Sequence, residues 1–194
     1  CREAAKQEVI RRYYEAITGV AEGKRDKSEV DKIKLLMSQL DLTVKDRAVV
    51  EPALEREAKT HKPATAIELS DGRIVTGKTG DLLGPCSAAL LNVLKELANI
   101  DHKIKVLSPE SIAPIQKLKT TYLGSKNPRL HTDEVLIALS ATAANNEDAA
   151  KALSQLPNLK GAQVHSTVLL SSVDKQTFKK LECNVTYEPK NESH

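Results

Sequence analysis

The chain has 194 residues, a length that favours one medium-sized domain or one domain with a small appendage. Hydrophobic residues make up 40% and charged residues 28%, which is typical of an ordinary globular protein. A formal net charge of only +3, four Tyr, one Phe and no Trp argue against a basic, aromatic nucleic-acid surface. No apolar run approaches the ~18 residues of a membrane span. We therefore expect neither nucleic acid nor a membrane as a partner.

The cysteines give no indication of a metal site. Cys1, Cys86 and Cys183 are odd in number and widely spaced, which fits neither a disulfide framework nor a zinc knuckle. We predict no metal and no cofactor, and a cytoplasmic location, because no secretory signal opens the chain. The chain begins at Cys1 and not at Met, so we expect it to be part of a longer polypeptide.

The first third of the chain has the apolar spacing of helices. Apolar residues recur on one face from Val9 to Ile17, and a second stripe follows a helix start at Ser28. A third helix begins near Val50, because Pro52 is tolerated only within a first helical turn. We predict a helical subdomain over residues 1–62 and an α/β domain over residues 63–194.

After residue 63 the pattern changes from helical to strand-like. Residues 64–69 read as a strand, Asp71-Gly72 as a tight turn and residues 73–76 as the returning strand. Residues 85–98 form an apolar helix that we expect to be buried, and residues 104–107 a short strand. The segment after residue 63 thus begins with a hairpin and a buried helix.

Strands and helices continue to alternate to the end of the chain. The predicted elements are helices over 109–122, 132–144 and 146–156, a strand over 163–170, a helix begun by Ser171 and Asp174, and a strand over 184–187. This alternation predicts a three-layer α/β/α fold with a mixed sheet, preceded by the helical subdomain.

Residues 72–79 match the phosphate-loop template, with Gly72, Gly77, Lys78 and Thr79 at its defined positions. The four residues between the glycines, however, favour an extended strand. Gly72 is better explained as the second residue of an Asp-Gly turn. We therefore rank a phosphate-loop nucleotidase last among the functions considered.

Two helix starts carry candidate ligand-binding residues. Lys78 and Thr79 lie just ahead of the helix that begins near Pro85, and Ser108 lies at the start of the next one. The free amides of a helix start favour anions. These residues are candidates for binding a small anionic ligand, and the alternative is that they only cap helices.

A polar loop before Thr132 provides a second group of candidates. Asn127, Arg129 and His131 lie together in it, and an Arg beside a His can orient a carboxylate or a phosphate. His165 lies within a predicted strand and is a further candidate if this loop folds over the same sheet face. Otherwise His165 is a core histidine and the loop residues are solvated surface.

Four segments of the chain resemble an uncharacterised protein family. They are residues 8–14, 71–79, 118–139 and 161–166, and the family is domain of unknown function 1846, also known as uncharacterised protein family 371. The resemblance implies a cytosolic, mainly bacterial protein whose N-terminal half is missing here and is nucleotide-binding in style. The family brings no established activity.

The order of hairpin, buried helix, strand, Ser-Pro and helix is also similar to the cytidine-deaminase fold. That likeness places Cys86 at the first metal-ligand position, but Ala88 stands where the catalytic Glu belongs. Glu110 and Ala113 replace the other two thiolates, and zinc deamination needs these ligands. The likeness therefore implies a metal-free version of the fold.

Two functions remain on these grounds. In the first, the chain contributes a polar site for an anionic or nucleotide-like small molecule and shares that site with the N-terminal half of the same polypeptide. In the second, it is a structural or oligomerisation module without a ligand site, and it assembles into a homo-oligomer. Whether the protein is an enzyme stays open.

Overall fold

The computed structural model describes residues 2–192, so Cys1 lies outside the described residues. Helices α1 (Arg2–Ala21) and α2 (Lys27–Gln39) form the first unit. They pack around a small cluster of buried residues: Ile10, Tyr14, Met37, Leu42 and Val50. Helix α3 (Val50–Thr60) follows, with Pro52 in its first turn. We call residues 2–60 the lead-in segment.

A sheet forms the centre of the molecule; it is mixed, as predicted, and has four strands. Its strands are β1 (Ala64–Glu68), β2 (Ile74–Lys78), β3 (Gln163–Ser166) and β4 (Asn184–Tyr187), in the order β2-β1-β3-β4. Strand β1 pairs antiparallel with both β2 and β3, whereas β3 and β4 are parallel. The carboxyl ends of β2, β3 and β4 therefore share one edge of the sheet.

The turn between β1 and β2 excludes a phosphate loop. The Leu69 amide donates to the Arg73 carbonyl at 2.9 Å, and Gly72 has a φ of +83°, which glycine adopts without steric cost. The template residues thus belong to a hairpin and to strand β2, and the next helix begins only at Pro85. No loop curls there around a phosphate group.

The remaining helices are α4 (Pro85–Leu97), α5 (Pro109–Lys117), α6 (Thr132–Ala143), α7 (Glu147–Ser154) and α8 (Ser172–Lys180). Their buried residues form one cluster with Ile67 and Val164 on one face of the sheet. The opposite face is covered by the lead-in segment, where Val49 and Ala53 pack on Ala66. We expected both helical layers to come from residues 63–194, and this detail is wrong, because one layer is the lead-in segment.

Residues 104–107, predicted as a strand, form a loop. Their apolar character is explained by burial without strand pairing, since Val106 and Leu107 join the cluster around α4. The Lys95 ammonium holds the preceding turn by donating to the His102 carbonyl at 2.8 Å. Within residues 2–192, no helix has the length and apolar character that a membrane crossing requires.

Candidate functional site

A cleft of about 610 Å³ lies at the sheet edge where β2, β3 and β4 end. Open α/β sheets commonly bind ligands at the carboxyl ends of their strands. Helices α4, α6 and α8 all begin here, and their first residues or caps line the cleft, namely Pro85, His131 and Ser171. Three helix starts therefore converge on one cavity.

The start of α4 has no capping side chain. Its N-cap is Gly84, followed by Pro85 at the first helical position, so no side-chain oxygen of the cap satisfies the first amides of the helix. The polar loop before α6 is fastened to this start, because the Gly84 amide and the Ser87 hydroxyl donate to the Leu130 carbonyl at 3.3 and 2.8 Å. The first turn of α4 is thus held at the cleft and favours an anion.

The starts of α6 and α8 are instead joined by one buried carboxylate, Asp174, which is 8% exposed. Asp174 accepts from the Thr132 amide at 3.0 Å, from the Thr132 hydroxyl at 2.8 Å and from the Ser171 hydroxyl at 2.9 Å. The helix predicted from residue 132 begins there, with Thr132 as its first residue and His131 at the cap position. The Asp174 carboxylate therefore already occupies the start of α6, while the Ser171 hydroxyl caps α8 by accepting from the Asp174 amide at 3.1 Å.

Asp174 also orients the His131 ring, whose Nδ1 lies 3.4 Å from Asp174 Oδ2. Burial works to raise the pKa of Asp174, but the donors His131, Thr132 and Ser171 outweigh it and lower the pKa below its usual range. The hydrogen bond to Asp174 in turn raises the pKa of His131, against the effect of burial. His131 therefore carries more positive charge near neutral pH than an ordinary histidine does.

Arg129 is held at the mouth of the cleft by its own backbone and by one edge of its guanidinium. Its Nε donates to the Gly80 carbonyl at 2.8 Å, and its carbonyl accepts from Lys119 Nζ at 2.5 Å. Its amide donates to Asn127 Oδ1 at 3.1 Å. Arg129 lines the cleft, and its Nη1 lies 3.8 Å from Glu192 Oε1, which lines the cleft as well.

Two carboxylates complete the rim. Glu192 accepts from the Thr79 hydroxyl at 2.9 Å. Glu22, which follows α1, accepts from Lys175 Nζ at 2.7 Å, and both carboxylates line the cleft. The lead-in segment and the segment after β4 therefore both contribute to its wall.

Three of the seven predicted site residues line this cleft: Asn127, Arg129 and His131. Thr79 does not line the cleft, but its hydroxyl donates to Glu192, which does. Lys78 borders a separate groove beside α4, and the Ser108 hydroxyl caps α5 by accepting from the Ser111 amide at 3.2 Å. The sequence interpretation treated Ser171 and Asp174 only as a helix start and did not identify their place in the cleft.

His165 does not line the cleft with the polar loop; of the two alternatives given for it, the structure has the core histidine. It is fully buried on the sheet face that the lead-in segment covers, where its ring lies 4.9 Å from the Tyr14 ring. Its Nδ1 lies 2.8 Å from Thr186 Oγ1, and its Nε2 lies 3.1 Å from Glu188 Oε1. Side chains alternate across a strand, and the neighbouring Val164 packs in the cluster with α4. His165 and α4 therefore lie on opposite faces of the sheet.

We expect the pKa values of the two histidines to be shifted in opposite directions. Burial lowers the pKa of His165 despite the opposing effect of Glu188, whereas the Asp174 hydrogen bond raises the pKa of His131. In an NMR titration of the ring protons, His131 therefore keeps its proton to a higher pH than His165. The reverse order would contradict these environments.

The same shifts give opposite pH dependences of stability. The unfolded chain binds a proton at an ordinary imidazole pKa of about 6.5. The contribution of His165 is therefore complete above about pH 6.5 and is lost as the pH falls, whereas that of His131 is complete below about pH 6.5 and is lost as the pH rises through its folded pKa. In denaturant unfolding, His131→Gln should abolish the loss of stability on the alkaline side. The loss of stability on the acidic side, which is due to His165, should remain.

Cys86 lies at the inner wall of the cleft as a packed thiol. It is 2% exposed, and its Sγ lies 3.4 Å from Thr65 Oγ1. Burial raises the pKa of the Cys86 thiol, so it is protonated and weakly nucleophilic at neutral pH. Among residues 2–192, no group of three or more His, Cys, Asp or Glu side chains is placed to hold a metal ion.

Comparisons with known proteins show the family. The model for the C-terminal domain of unknown function DUF1846 matches residues 45–194, and the model for its N-terminal domain matches residues 1–41. A UPF0371 protein of Corynebacterium glutamicum is 55% identical over 190 residues, and one of Corynebacterium efficiens is 56% identical over 190 residues. A UPF0371 protein of Streptococcus thermophilus is 49% identical over 188 residues.

These matches cover nearly the whole chain but less than half of each relative. They span 98% of the chain for both corynebacterial proteins and 97% for the streptococcal one, and 38% of each relative's own length. The junction between the two family models, at residues 41–45, falls inside the lead-in segment. On this evidence the chain belongs to the uncharacterised DUF1846 (UPF0371) family.

Proposed function

We propose that the cleft binds a small anionic molecule through a carboxylate or phosphate group, with Arg129, His131 and the first amides of α4 as its contacts. One observation carries this proposal. Of the three helix starts at the cleft, the Asp174 carboxylate fills that of α6 and the Ser171 hydroxyl caps that of α8, whereas α4 has only Gly84 as its cap. The anion would take at α4 the place that Asp174 takes at α6.

Two basic side chains favour the same ligand class. Arg129 offers charge-assisted hydrogen bonds in a fixed orientation, and His131 is held by Asp174. The acidic rim residues Glu22 and Glu192 disfavour a ligand that is anionic along its whole length. They instead suit hydroxyl or amino groups on the ligand, as a sugar or a nucleoside carries beside its phosphate.

The proposal includes a contribution from the N-terminal region of the intact protein. The cleft already receives Glu22 from the segment that matches the N-terminal family model. The curated relatives are much longer than this chain, which spans 38% of their length. A nucleotide-like ligand held between the two regions is therefore our preferred form of the function.

The likeness to the cytidine-deaminase fold, in a metal-free version, is part of this proposal. The hairpin β1–β2 followed by the buried helix α4 supports it. The loop at residues 104–107, where that likeness expects a strand, weakens it. We propose no deamination chemistry, since Ala88 and the protonated Cys86 do not supply it.

A thermal-shift panel tests the proposal. Inorganic phosphate, phosphomonoesters, nucleotides and mono- and dicarboxylates would be added to this chain and to the intact Corynebacterium efficiens relative. We expect at least one of these anions to raise the melting temperature. Arg129→Ala should weaken binding about tenfold to a hundredfold, the cost of one or two charge-assisted hydrogen bonds.

Lys126→Ala is the matched control, because Lys126 lies exposed in the same loop and does not line the cleft. It should leave anion binding unchanged. If no anion stabilises either protein, or if both variants weaken binding equally, the alternative gains support. That alternative is a structural or oligomerisation module, and exposed apolar residues such as Leu123 and Ile137, 71% and 67% exposed, favour it.

A further inference from the structure

The outer side of the lead-in segment carries a groove that the proposed function does not use. Two depressions of about 390 and 300 Å³ share Val44 as a common wall residue. The first is lined by Tyr13 and Met37 among others, and the second by Val50 and Leu54 among others. We call these two depressions the junction groove, because Val44 lies between the segments matched by the two family models.

We propose that the junction groove is the docking surface for the rest of the N-terminal DUF1846 domain. Exposed leucines lie along it and beside it. Leu54 in the groove is 39% exposed, and Leu36 on α2 and Leu40 at its C-cap are 41% and 47% exposed. Leu35, on another side of the same helix, is 62% exposed. A helix end that is apolar on several sides is typical of a helix buried in a larger assembly.

The size of the cluster between α1 and α2 points to the same occupant. Its buried members are only Ile10, Tyr14, Met37, Leu42 and Val50, whereas a domain is built around one sizeable hydrophobic core. Since α1 and α2 match the N-terminal family model over residues 1–41, we infer that they are an outlying part of that domain's core. The missing part of this core would cover the groove.

The relatives are long enough to contain the rest of such a core. This chain spans 38% of the length of the curated relatives, so more than half of each relative lies outside the matched region. The rim of the groove carries charges of both signs, Lys34 and Lys45 beside Asp41, Glu51 and Glu55. Such a mixed rim suits a protein surface with complementary charges and not a single charged small molecule.

Cysteine labelling tests this proposal. Leu40→Cys and Leu54→Cys would be introduced separately into this chain, and cysteine would be placed at the aligned positions of the intact Corynebacterium efficiens relative. Leu118→Cys serves as the control, because Leu118 is 48% exposed and lies outside the groove. In this chain Cys1 is replaced by Ser in every variant, and labelling by a maleimide is compared with the rate of each protein without the introduced cysteine. Cys86 and Cys183 of this chain are buried and half-buried, respectively.

We expect the groove positions to react quickly in this chain and about tenfold or more slowly in the intact relative, where reaction must wait for local opening. The control position should react at the same rate in both proteins. Equal rates at the groove positions in the two proteins would overturn the proposal. So would slow labelling in this chain together with a dimer in sedimentation velocity, since a second copy would then cover the groove. Neither outcome bears on anion binding in the cleft.

Discussion

Asp174→Ala should lower the free energy of unfolding by about 3 kcal/mol or more, because it leaves several buried donors without an acceptor. The Thr132 amide and hydroxyl and the Ser171 hydroxyl all donate to this carboxylate. Each hydrogen bond to a charged group contributes about 1.5–3 kcal/mol, and a buried donor left unpaired adds its own desolvation cost. Denaturant unfolding measures the loss.

The same carboxylate should control the charge of His131. Asp174→Asn keeps the shape of the side chain but removes its charge, so the pKa of His131 should fall, because the hydrogen bond to ionised Asp174 is the main cause of its elevation. Asp133→Asn is the matched control: Asp133 lies in the same first turn of α6 but is exposed. If Asp174→Asn lowers the free energy of unfolding no more than Asp133→Asn does, Asp174 does not join α6 to α8.

Arg47→Met should lower the free energy of unfolding by about 2–4 kcal/mol. Arg47 is fully buried, and its guanidinium donates to the Thr186 hydroxyl at 2.9 Å and to the Asn184 carbonyl at 2.8 Å. It also donates to Gln163 Oε1 at 2.6 Å and to the Val164 carbonyl at 3.1 Å. Met fills most of the same volume but donates nothing, so these acceptors lose their partner.

The loss is smaller than the sum of four hydrogen bonds, because the substitution also removes a desolvated positive charge. Burial is the main cause that lowers the pKa of Arg47 to about 10, which reflects this cost. Arg12→Met on the exposed side of α1 is the control, and its surface ion pair with Glu8 should contribute at most about 1 kcal/mol. A loss at Arg47 no larger than at Arg12 would contradict its role as the link between the lead-in segment and β3 and β4.

Local sequence patterns predicted most of the elements but not their convergence. The helix starts predicted at residues 146 and 171 agree with the structure, in which Asn146 and Ser171 are N-caps, and the last strand has the predicted bounds of 184–187. That the starts of α4, α6 and α8 meet at one edge depends on the pairing of distant strands. No short segment of the sequence contains this information.

The strand predicted at residues 104–107 and the placement considered for His165 beside the polar loop fail for the same physical reason. An apolar or alternating pattern shows that a side chain is buried, but it does not show which part of the chain packs against it. Residues 104–107 are apolar because Val106 and Leu107 are buried, but nothing in their pattern separates a buried loop from a strand. For His165, the alternation correctly separated it from Val164 and Ser166. It did not show that the lead-in segment, and not the loop with Arg129, covers the His165 face.

The most direct test of the anion site is an NMR titration of the uniformly ¹⁵N-labelled chain with inorganic phosphate and with the anion that gives the largest thermal shift. We predict that the amide signals of Gly84, Cys86 and Ser87 and of residues 129–131 move together and saturate, while signals from the outer side of the lead-in segment stay in place. Saturating shifts elsewhere, or none at residues 84–87 and 129–131, would contradict binding of an anion at the start of α4.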